Sequence, residues 1–228
     1  MSPYEKAWQD VRSRIERAAR AAGRDPGAIG VLAVSKGQSA AAIRMAYSAG
    51  QRAFGENYVQ EALVKAEELA DLRDIEWHLI GPLQGNKARV AAQRFSWVET
   101  IDREKIAGRL SGARGAGLPR INACVQVNIS GESSKSGVEP EGALVLLRRI
   151  AALPGLALRG LMGISEPTPD AAKQRAQFRT LRELYESANA EGLGLDTLSM
   201  GMSADLETAV AEGATLVRVG TALFGARR

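Results

Sequence analysis

The chain has 228 residues, of which 45% are hydrophobic and 25% are charged, an ordinary globular composition. This length suits one α/β barrel, so we expect a single domain over residues 1–228. The only cysteine, Cys124, excludes an intrachain disulfide, and with a single histidine, His78, we expect no Cys/His metal site. The net charge of +4 lies on scattered arginines, which argues against nucleic-acid binding and suits an anionic small ligand.

The N-terminal segment, residues 1–24, is charged and amphipathic, which predicts an extra helix over Pro3–Ala22 that packs on the domain. This segment has no apolar core of signal-peptide length, and no run in the chain approaches the length of a membrane span. We therefore expect a cytoplasmic protein that does not contact membranes.

Short apolar runs rich in β-branched residues alternate with helical stretches along the rest of the chain. The predicted strands are Gly30–Lys36, Arg52–Gly55, Glu76–Gly81, Trp97–Ile101, Ala123–Ile129, Leu158–Ile164, Thr197–Met200 and Leu216–Gly220. The predicted helices between them are Ala40–Ser48, Tyr58–Leu69, Lys87–Gln93, Arg103–Leu110, Pro140–Ala152, Ala171–Ala190 and Ala204–Ala211. Eight strand units in this length predict a closed, parallel (β/α)8 barrel of the TIM type rather than an open doubly wound sheet.

Strand periodicity places two cations at the same end of the predicted barrel. Lys36 shares a face with Leu32 and Val34 in the first strand, and Arg218 shares a face with Gly220 in the eighth. The first and eighth strands are neighbours when a barrel closes, so both cations are expected to point inward at the carboxyl ends. Two cations brought together without an anion would be costly, which predicts an anionic or electron-rich ligand between them.

Lys36 ends the run VLAVSKG, where desolvation at a buried strand end can lower the pKa of a lysine and free its amine to attack an aldehyde. The alternative is a lysine that simply emerges into solvent where the strand ends. On position alone, that alternative is the stronger of the two.

Two glycine-containing segments after the last two strands indicate a phosphate cradle, because the corresponding loops of such barrels often hold phosphate. They are SMGMSADLETAVAEG and RVGTALFG. Gly201 and Gly220 permit close approach of the backbone, and Ser203 offers a hydroxyl at the predicted start of a helix. The equally weighted alternative is that Ser203 only caps that helix and the glycines only form turns.

Other familiar chemistries have little support. Asn57 follows the second strand, where it could act as a helix N-cap and nothing more, and a lone His78 in an apolar strand is usually a core residue. With one histidine, a Ser-His-Asp triad has little support. The sequence carries neither a Rossmann glycine fingerprint after a strand nor a Walker A motif.

Taken in order, the segments AVSKG, FGENYVQEA, EWHLIGPLQGNK, SKSG, RGLMGI and SMGMSADLETAVAEGATLVRVGTALFG resemble the pyridoxal phosphate homeostasis protein family over roughly Val31 to Gly225. That family is similar to the N-terminal barrel of alanine racemase, a fold-type III protein that binds pyridoxal 5′-phosphate (PLP). The resemblance implies that Lys36 holds PLP as a Schiff base and that Arg218 faces the pyridine nitrogen.

The resemblance also implies roles for the remaining residues of the cofactor site. Ser203, with the backbone of Gly220 and Thr221, would hold the phosphate. Met200 and Gly201 would line that side, and Asn57 and His78 would lie near the ring. Lys135, in the SKSG loop, matches a family lysine near the mouth. Many members carry a second lysine two residues after the Schiff-base lysine, whereas this chain has Gln38, which puts any role of that neighbour in cofactor exchange in doubt.

The sequence favours a carrier over an enzyme. Arg218 can donate but not accept a hydrogen bond, so the pyridine nitrogen facing it stays unprotonated and PLP becomes a weaker electron sink. Alanine racemases take a second base from a domain after the barrel, whereas this sequence stops at Arg228; a partner chain or Tyr58 could supply such a base. We expect a non-catalytic monomer that buffers PLP or delivers it to apo PLP-dependent enzymes. The alternatives are a PLP-dependent amino-acid racemase, another weak PLP enzyme, or an unrelated phosphate-ligand barrel enzyme.

Overall fold

The computed structural model describes residues 3–132 and 136–225. Its strands form one closed parallel barrel in chain order, β1 to β8, so the predicted fold class is confirmed. The strands are β1 Gly30–Val34, β2 Ala53–Glu56, β3 Glu76–Leu79, β4 Trp97–Ile101, β5 Ile121–Val127, β6 Leu156–Gly163, β7 Thr197–Ser199 and β8 Leu216–Val219. The helices are α1 Pro3–Ala21, α2 Ala40–Ser48, α3 Val59–Glu68, α4 Ala88–Arg94, α5 Glu104–Ala113, α6 Pro140–Ala151, α7 Ala171–Ala190, α8 Leu206–Ala211 and α9 Thr221–Phe224.

Helices α2 and α7 have the predicted bounds, because a polar side chain fixes the start of each. The Ser39 hydroxyl accepts a hydrogen bond from the amide of Ala42, and the Asp170 carboxylate accepts from the amides of Ala172 and Lys173. Such caps satisfy amides that have no partner inside the helix. The strong local signal at these two positions therefore carries over directly into the structure.

Barrel closure brings β1 beside β8, with Leu32 paired to Arg218. Several predicted boundaries are wrong by one to three residues: β1 ends at Val34 rather than at Lys36, for example, and β5 and β6 each begin two residues earlier than their sequence patterns predict. The two strands pair with each other from Ile121 and Leu156 onward, and this pairing extends them. The carboxyl ends of all the strands lie at the same end of the barrel, where parallel barrels hold their ligands.

Helix α1 packs against the outside of the barrel at α8 and α9. Its apolar stripe of Tyr4, Val11, Ile15 and Ala19 is buried, which is the periodicity expected of an amphipathic helix. The Tyr4 ring lies 5.5 Å, centroid to centroid, from the ring of Phe224 in α9. None of the helices in residues 3–132 and 136–225 combines the length and apolarity that crossing a bilayer requires.

Candidate functional site

A cavity of about 270 Å³ opens at the carboxyl ends of β1 and β8. Its walls include six of the nine residues predicted for the cofactor site: Lys36, Asn57, Ser203, Arg218, Gly220 and Thr221. Gln38 also lies on the wall, together with apolar side chains such as Val34, Ile80 and Ile164. The volume is near the lower end of the range for small-molecule sites, about 300–1,000 Å³.

Lys36 stands two residues beyond the end of β1, and its neighbours on both sides are pinned to a buried ion-pair cluster. The Lys65 ammonium donates to the carbonyl oxygen of Ser35 at 2.7 Å, and to carboxylate oxygens of Glu56 at 2.7 Å and Glu61 at 2.6 Å. Glu61 also accepts from the amide of Gly37 at 2.6 Å, and Glu56 from the hydroxyl of Ser35 at 2.6 Å. The backbone that carries Lys36 is therefore held on both sides.

Burying the charges of this cluster costs free energy of desolvation, as it generally does for buried charges. Burial raises the pKa of Glu56, while hydrogen bonds from Lys65 and Ser35 oppose that shift. The second carboxylate oxygen, Oε2, is buried and has no hydrogen-bond partner within the described part of the chain. The sequence pattern gives no signal that Lys65, in the buried face of α3, meets Glu56 at the end of β2.

Arg218 is buried, and a chain of hydrogen bonds links it to His78. Its terminal nitrogens donate to the hydroxyl of Ser199 and to the carbonyl oxygen of Gly163, each at 2.8 Å. Ser199 donates onward to Oε2 of Glu99 at 2.6 Å, and Oε1 of Glu99 lies 2.7 Å from Nδ1 of His78. The guanidinium has five N–H donors, so the two bonds inside the protein leave others for a ligand in the cavity.

Glu99 and, to a smaller extent, Asp205 supply the negative charge that offsets Arg218 in the barrel interior. Burial alone would raise the pKa of Glu99, but the hydrogen bonds from His78 and Ser199 and the charge of Arg218 hold that pKa below its usual range. Burial likewise lowers the pKa of Arg218, and the charge of Glu99 opposes that shift. An arginine remains charged in proteins, so we take the pair as an ionised carboxylate and a guanidinium.

His78 lies behind the site rather than on the cavity wall. Its ring stacks on Trp97 with centroids 4.9 Å apart, and Nε2 is buried without a hydrogen-bond partner among the residues described. His78 is connected to Arg218 only indirectly, through Glu99 and Ser199, and its place near the ring of the ligand stays a prediction. Its burial in an apolar strand is consistent with the alternative interpretation of His78 as a core residue.

The turn before α8 brings Ser203 to the cavity wall. The helix begins at Leu206, two residues later than predicted, so Ser203 does not cap it. Asp205 organises the turn instead, because its carboxylate accepts from the amide of Met202 and from the hydroxyl of Ser165. The Ser203 hydroxyl accepts from the amide of Ala222 in α9 at 3.3 Å, which joins the turn to the segment that carries Thr221.

Gly220 and Gly201 have different roles. Gly220 lines the cavity, where a Cβ atom would lie 3.4 Å from the backbone of Val34. Gly201 lies outside the cavity wall and adopts φ +91°, where a Cβ would approach that of Ala209 to 2.5 Å. Gly201 is therefore needed for the fit of α8 on the barrel. Met200 is fully buried in the core and is likewise absent from the wall.

Asn57 lies on the cavity wall, and its Oδ1 is buried without a hydrogen-bond partner inside the described ranges. The alternative of a helix cap is wrong, because Tyr58 occupies the N-cap position of α3 and no side chain caps that helix. Tyr58 is 65% exposed and does not line the cavity. Lys135 falls outside the described residues.

These groups suit one kind of ligand. An amine can bond an aldehyde carbon, a guanidinium can donate to a ring acceptor, and the hydroxyls of Ser203 and Thr221 can bind an anion. Apolar side chains on the wall can pack against a planar ring. The unsatisfied Oδ1 of Asn57 adds a buried acceptor that requires a donor. The residues present therefore fit a phosphorylated aromatic aldehyde.

Known proteins define the family of this chain. The family described as "Alanine racemase, N-terminal domain" matches residues 8–228. The pyridoxal phosphate homeostasis protein of Pseudomonas aeruginosa is 60% identical over 227 residues, covering 100% of this chain and 97% of that protein. The protein of the same name from Escherichia coli K12 is 48% identical over 219 residues, or 95% of this chain and 94% of that one. This chain therefore belongs to the pyridoxal phosphate homeostasis protein family, as its motifs predict.

Two solved structures extend the comparison. The structure of PipY from Synechococcus elongatus with PLP bound is 41% identical, with a TM-score of 0.80, and covers 93% of this chain and 100% of that chain. An alanine racemase of Clostridium difficile is 12% identical, with a TM-score of 0.72, and covers 95% of this chain but 56% of that chain. The second likeness concerns the fold alone, and it confirms the expected similarity to the alanine racemase barrel.

Proposed function

We propose that this chain binds PLP through Lys36 and serves as a carrier that buffers or delivers the cofactor. The observation that carries this proposal is the convergence of Lys36, Arg218 and Ser203 on one cavity. The curated relatives that share this chain over nearly their full length bear the name of PLP homeostasis proteins, and a PLP-bound structure exists for the related PipY.

Each of these side chains has a distinct task. The amine of Lys36 condenses with the aldehyde of PLP, forming a carbon–nitrogen bond with loss of one water molecule. Arg218 donates to the ring nitrogen, and the hydroxyls of Ser203 and Thr221 bind the phosphate with the backbone of Gly220. The ion-pair cluster around Lys65 holds the backbone at Lys36, so the amine is positioned before the cofactor arrives.

Arg218 argues for carriage rather than catalysis. PLP supplies an electron sink when its ring nitrogen is protonated, and a guanidinium cannot provide that proton because it stays charged. Ser199 holds this guanidinium in the barrel interior through a hydrogen bond, and the carboxylate of Glu99 behind it helps to balance the charge. These residues therefore hold the cofactor and keep its reactivity low. We further propose that the protein acts as a monomer in the cytoplasm, with apo PLP-dependent enzymes as recipients.

Two assays on the PLP-loaded protein test the carrier role. Mixed with an apo PLP enzyme, the loaded protein is expected to restore that enzyme's activity, whereas Lys36→Ala exposed to the same PLP and then desalted is expected to restore little. Chiral analysis of alanine and serine after long incubation is expected to show no sustained racemisation. Turnover that disappears in Lys36→Ala would instead establish a racemase.

Ser203→Ala is expected to weaken PLP binding by roughly tenfold or more, because a hydrogen bond to a charged group contributes about 1.5–3 kcal/mol. Equilibrium titration of PLP measures this change. Ser39→Ala is the matched control: Ser39 caps α2 and lies outside the cavity wall, so its loss lowers stability by about 1 kcal/mol without affecting PLP. Equal PLP affinity in Ser203→Ala and the wild type would remove Ser203 from the phosphate site.

A further inference from the structure

We propose that helix α1 braces the phosphate-binding turn from outside the barrel, and that Arg14 is the positioning residue that transmits this brace. This inference rests on the proposed binding of PLP phosphate by Ser203. It assigns a role in cofactor retention to the N-terminal helix, which contributes no residue to the cavity wall.

Arg14 joins α1 to α8 by two hydrogen bonds and to the turn before α8 by one. Its guanidinium donates two hydrogen bonds, of 2.6 Å and 2.8 Å, to the carboxylate of Glu207 in α8. The nitrogen Nη2 also donates to the carbonyl oxygen of Ser203 at 2.9 Å. Ser203 therefore lies on the cavity wall while its carbonyl oxygen is bonded to α1. The bidentate geometry fixes the direction of the guanidinium as well as its distance.

The brace reaches the second phosphate-binding segment too. The amide of Ala222 donates to the hydroxyl of Ser203 at 3.3 Å, so the turn before α8 is coupled to α9, which begins at Thr221. The first turn of α1 packs on α9 through the ring contact of Tyr4 with Phe224. One helix thus contacts both segments that bring Ser203 and Thr221 to the cavity wall.

The end of α1 provides a contrasting contact. Arg24, just beyond that helix, donates to the carbonyl oxygens of Val210 and Ala214, at the far end of α8 from the cavity. Arg24 therefore attaches the N-terminal segment to the barrel without touching the turn. Removing the side chain of Arg24 should therefore weaken the attachment of the N-terminal segment without removing the brace on Ser203.

Preorganisation explains why such a brace would matter. A turn that must be ordered when the ligand binds lowers affinity by the free energy of that ordering, and a turn already held in place avoids this cost. The effect concerns only ligands that contact the turn. The affinity of a ligand that lacks the phosphate should not depend on Arg14, although this ligand still reaches Lys36 and Arg218.

Titration of the full-length protein with PLP and with pyridoxal, the same aldehyde without phosphate, tests the brace. Arg14→Ala is expected to raise the dissociation constant of PLP by about tenfold and that of pyridoxal by less than about twofold. Glu207→Gln should shift PLP affinity in the same direction by a smaller factor, and it serves as the second variant if Arg14→Ala folds poorly. Arg24→Ala should lower the melting temperature and leave the ratio of the two affinities unchanged.

The outcomes are distinct. Equal weakening of both ligands in Arg14→Ala and Glu207→Gln, or no weakening of either, would contradict the brace. A change in the affinity ratio in Arg24→Ala as large as in Arg14→Ala would also contradict it, because attachment alone would then suffice. A wild-type protein that fails to bind PLP would overturn the proposed function itself, which this comparison detects separately.

Discussion

Replacing Lys36 with alanine is expected to abolish covalent attachment of PLP while the barrel stays folded. The side chain lies beyond the last residue of β1 and on the cavity wall, so its removal leaves the paired strands intact. Lys65, the nearby alternative amine, is engaged with three oxygen acceptors and is buried, which disfavours its attack on an aldehyde. The absorption band of the imine in visible light and a thermal melt measure the two parts of this expectation.

The control for this substitution is Lys105→Ala, which removes an exposed lysine from α5. It should keep both the imine band and the melting temperature of the wild type. A full imine band in Lys36→Ala would show that another amine carries PLP. A large decrease in the melting temperature of Lys36→Ala would instead show that Lys36 has a structural role, which its position on the cavity wall does not suggest.

Glu99→Ala is expected to lower stability by about 3–5 kcal/mol, because it removes the larger of the two negative charges, Glu99 and Asp205, that offset the buried guanidinium of Arg218. The same change strips Ser199 of its acceptor and His78 of the partner at Nδ1. Unfolding by denaturant measures the loss. Glu191→Ala is the matched control, since Glu191 pairs with Arg148 on the surface and its removal should have little effect. Equal midpoints for the two variants would contradict the proposed role of Glu99.

The same pair predicts a pH dependence. Because the pKa of Glu99 lies below its usual range, its ionised form stabilises the folded protein above the ordinary carboxylate pKa. That contribution is lost as the pH falls from the ordinary value through the depressed one. Glu99→Gln removes the titrating group, so it should flatten this part of the stability profile. If Glu99→Gln loses stability with falling pH as steeply as the wild type does, other carboxylates are responsible for the loss of stability in acid.

The sequence predicted well those features that depend on local pattern. Barrel closure was enough to predict that Lys36 and Arg218 lie at one end of the barrel, where both are on the cavity wall, although β1 ends at Val34 and its periodicity does not extend to Lys36. The start of α8 was predicted wrongly, because Asp205 uses its carboxylate on Met202 and Ser165 and the turn continues to Leu206. Competing local hydrogen bonds of this kind are invisible in composition alone.

The partners of Arg218 could not be found from a single sequence. Ser199 and Glu99 are 100 residues apart in the chain and meet only across the closed barrel. Strand periodicity can indicate that a polar residue points into the barrel. It does not specify which polar groups from different strands meet there. Met200 and Gly201 do not line the cavity, and core packing and a tight fit against α8 account for their positions, so their contact with PLP stays a prediction.

Reduction of the PLP-loaded wild type with sodium borohydride, followed by proteolysis and peptide mass mapping, tests the central claim most directly. The reduction converts the imine to a stable secondary amine and so records which lysine held PLP. The predicted result is one principal modified peptide, with the mass of reduced PLP on Lys36. A principal adduct on any other lysine, or no adduct after loading, would contradict the assignment of this cavity as the PLP site.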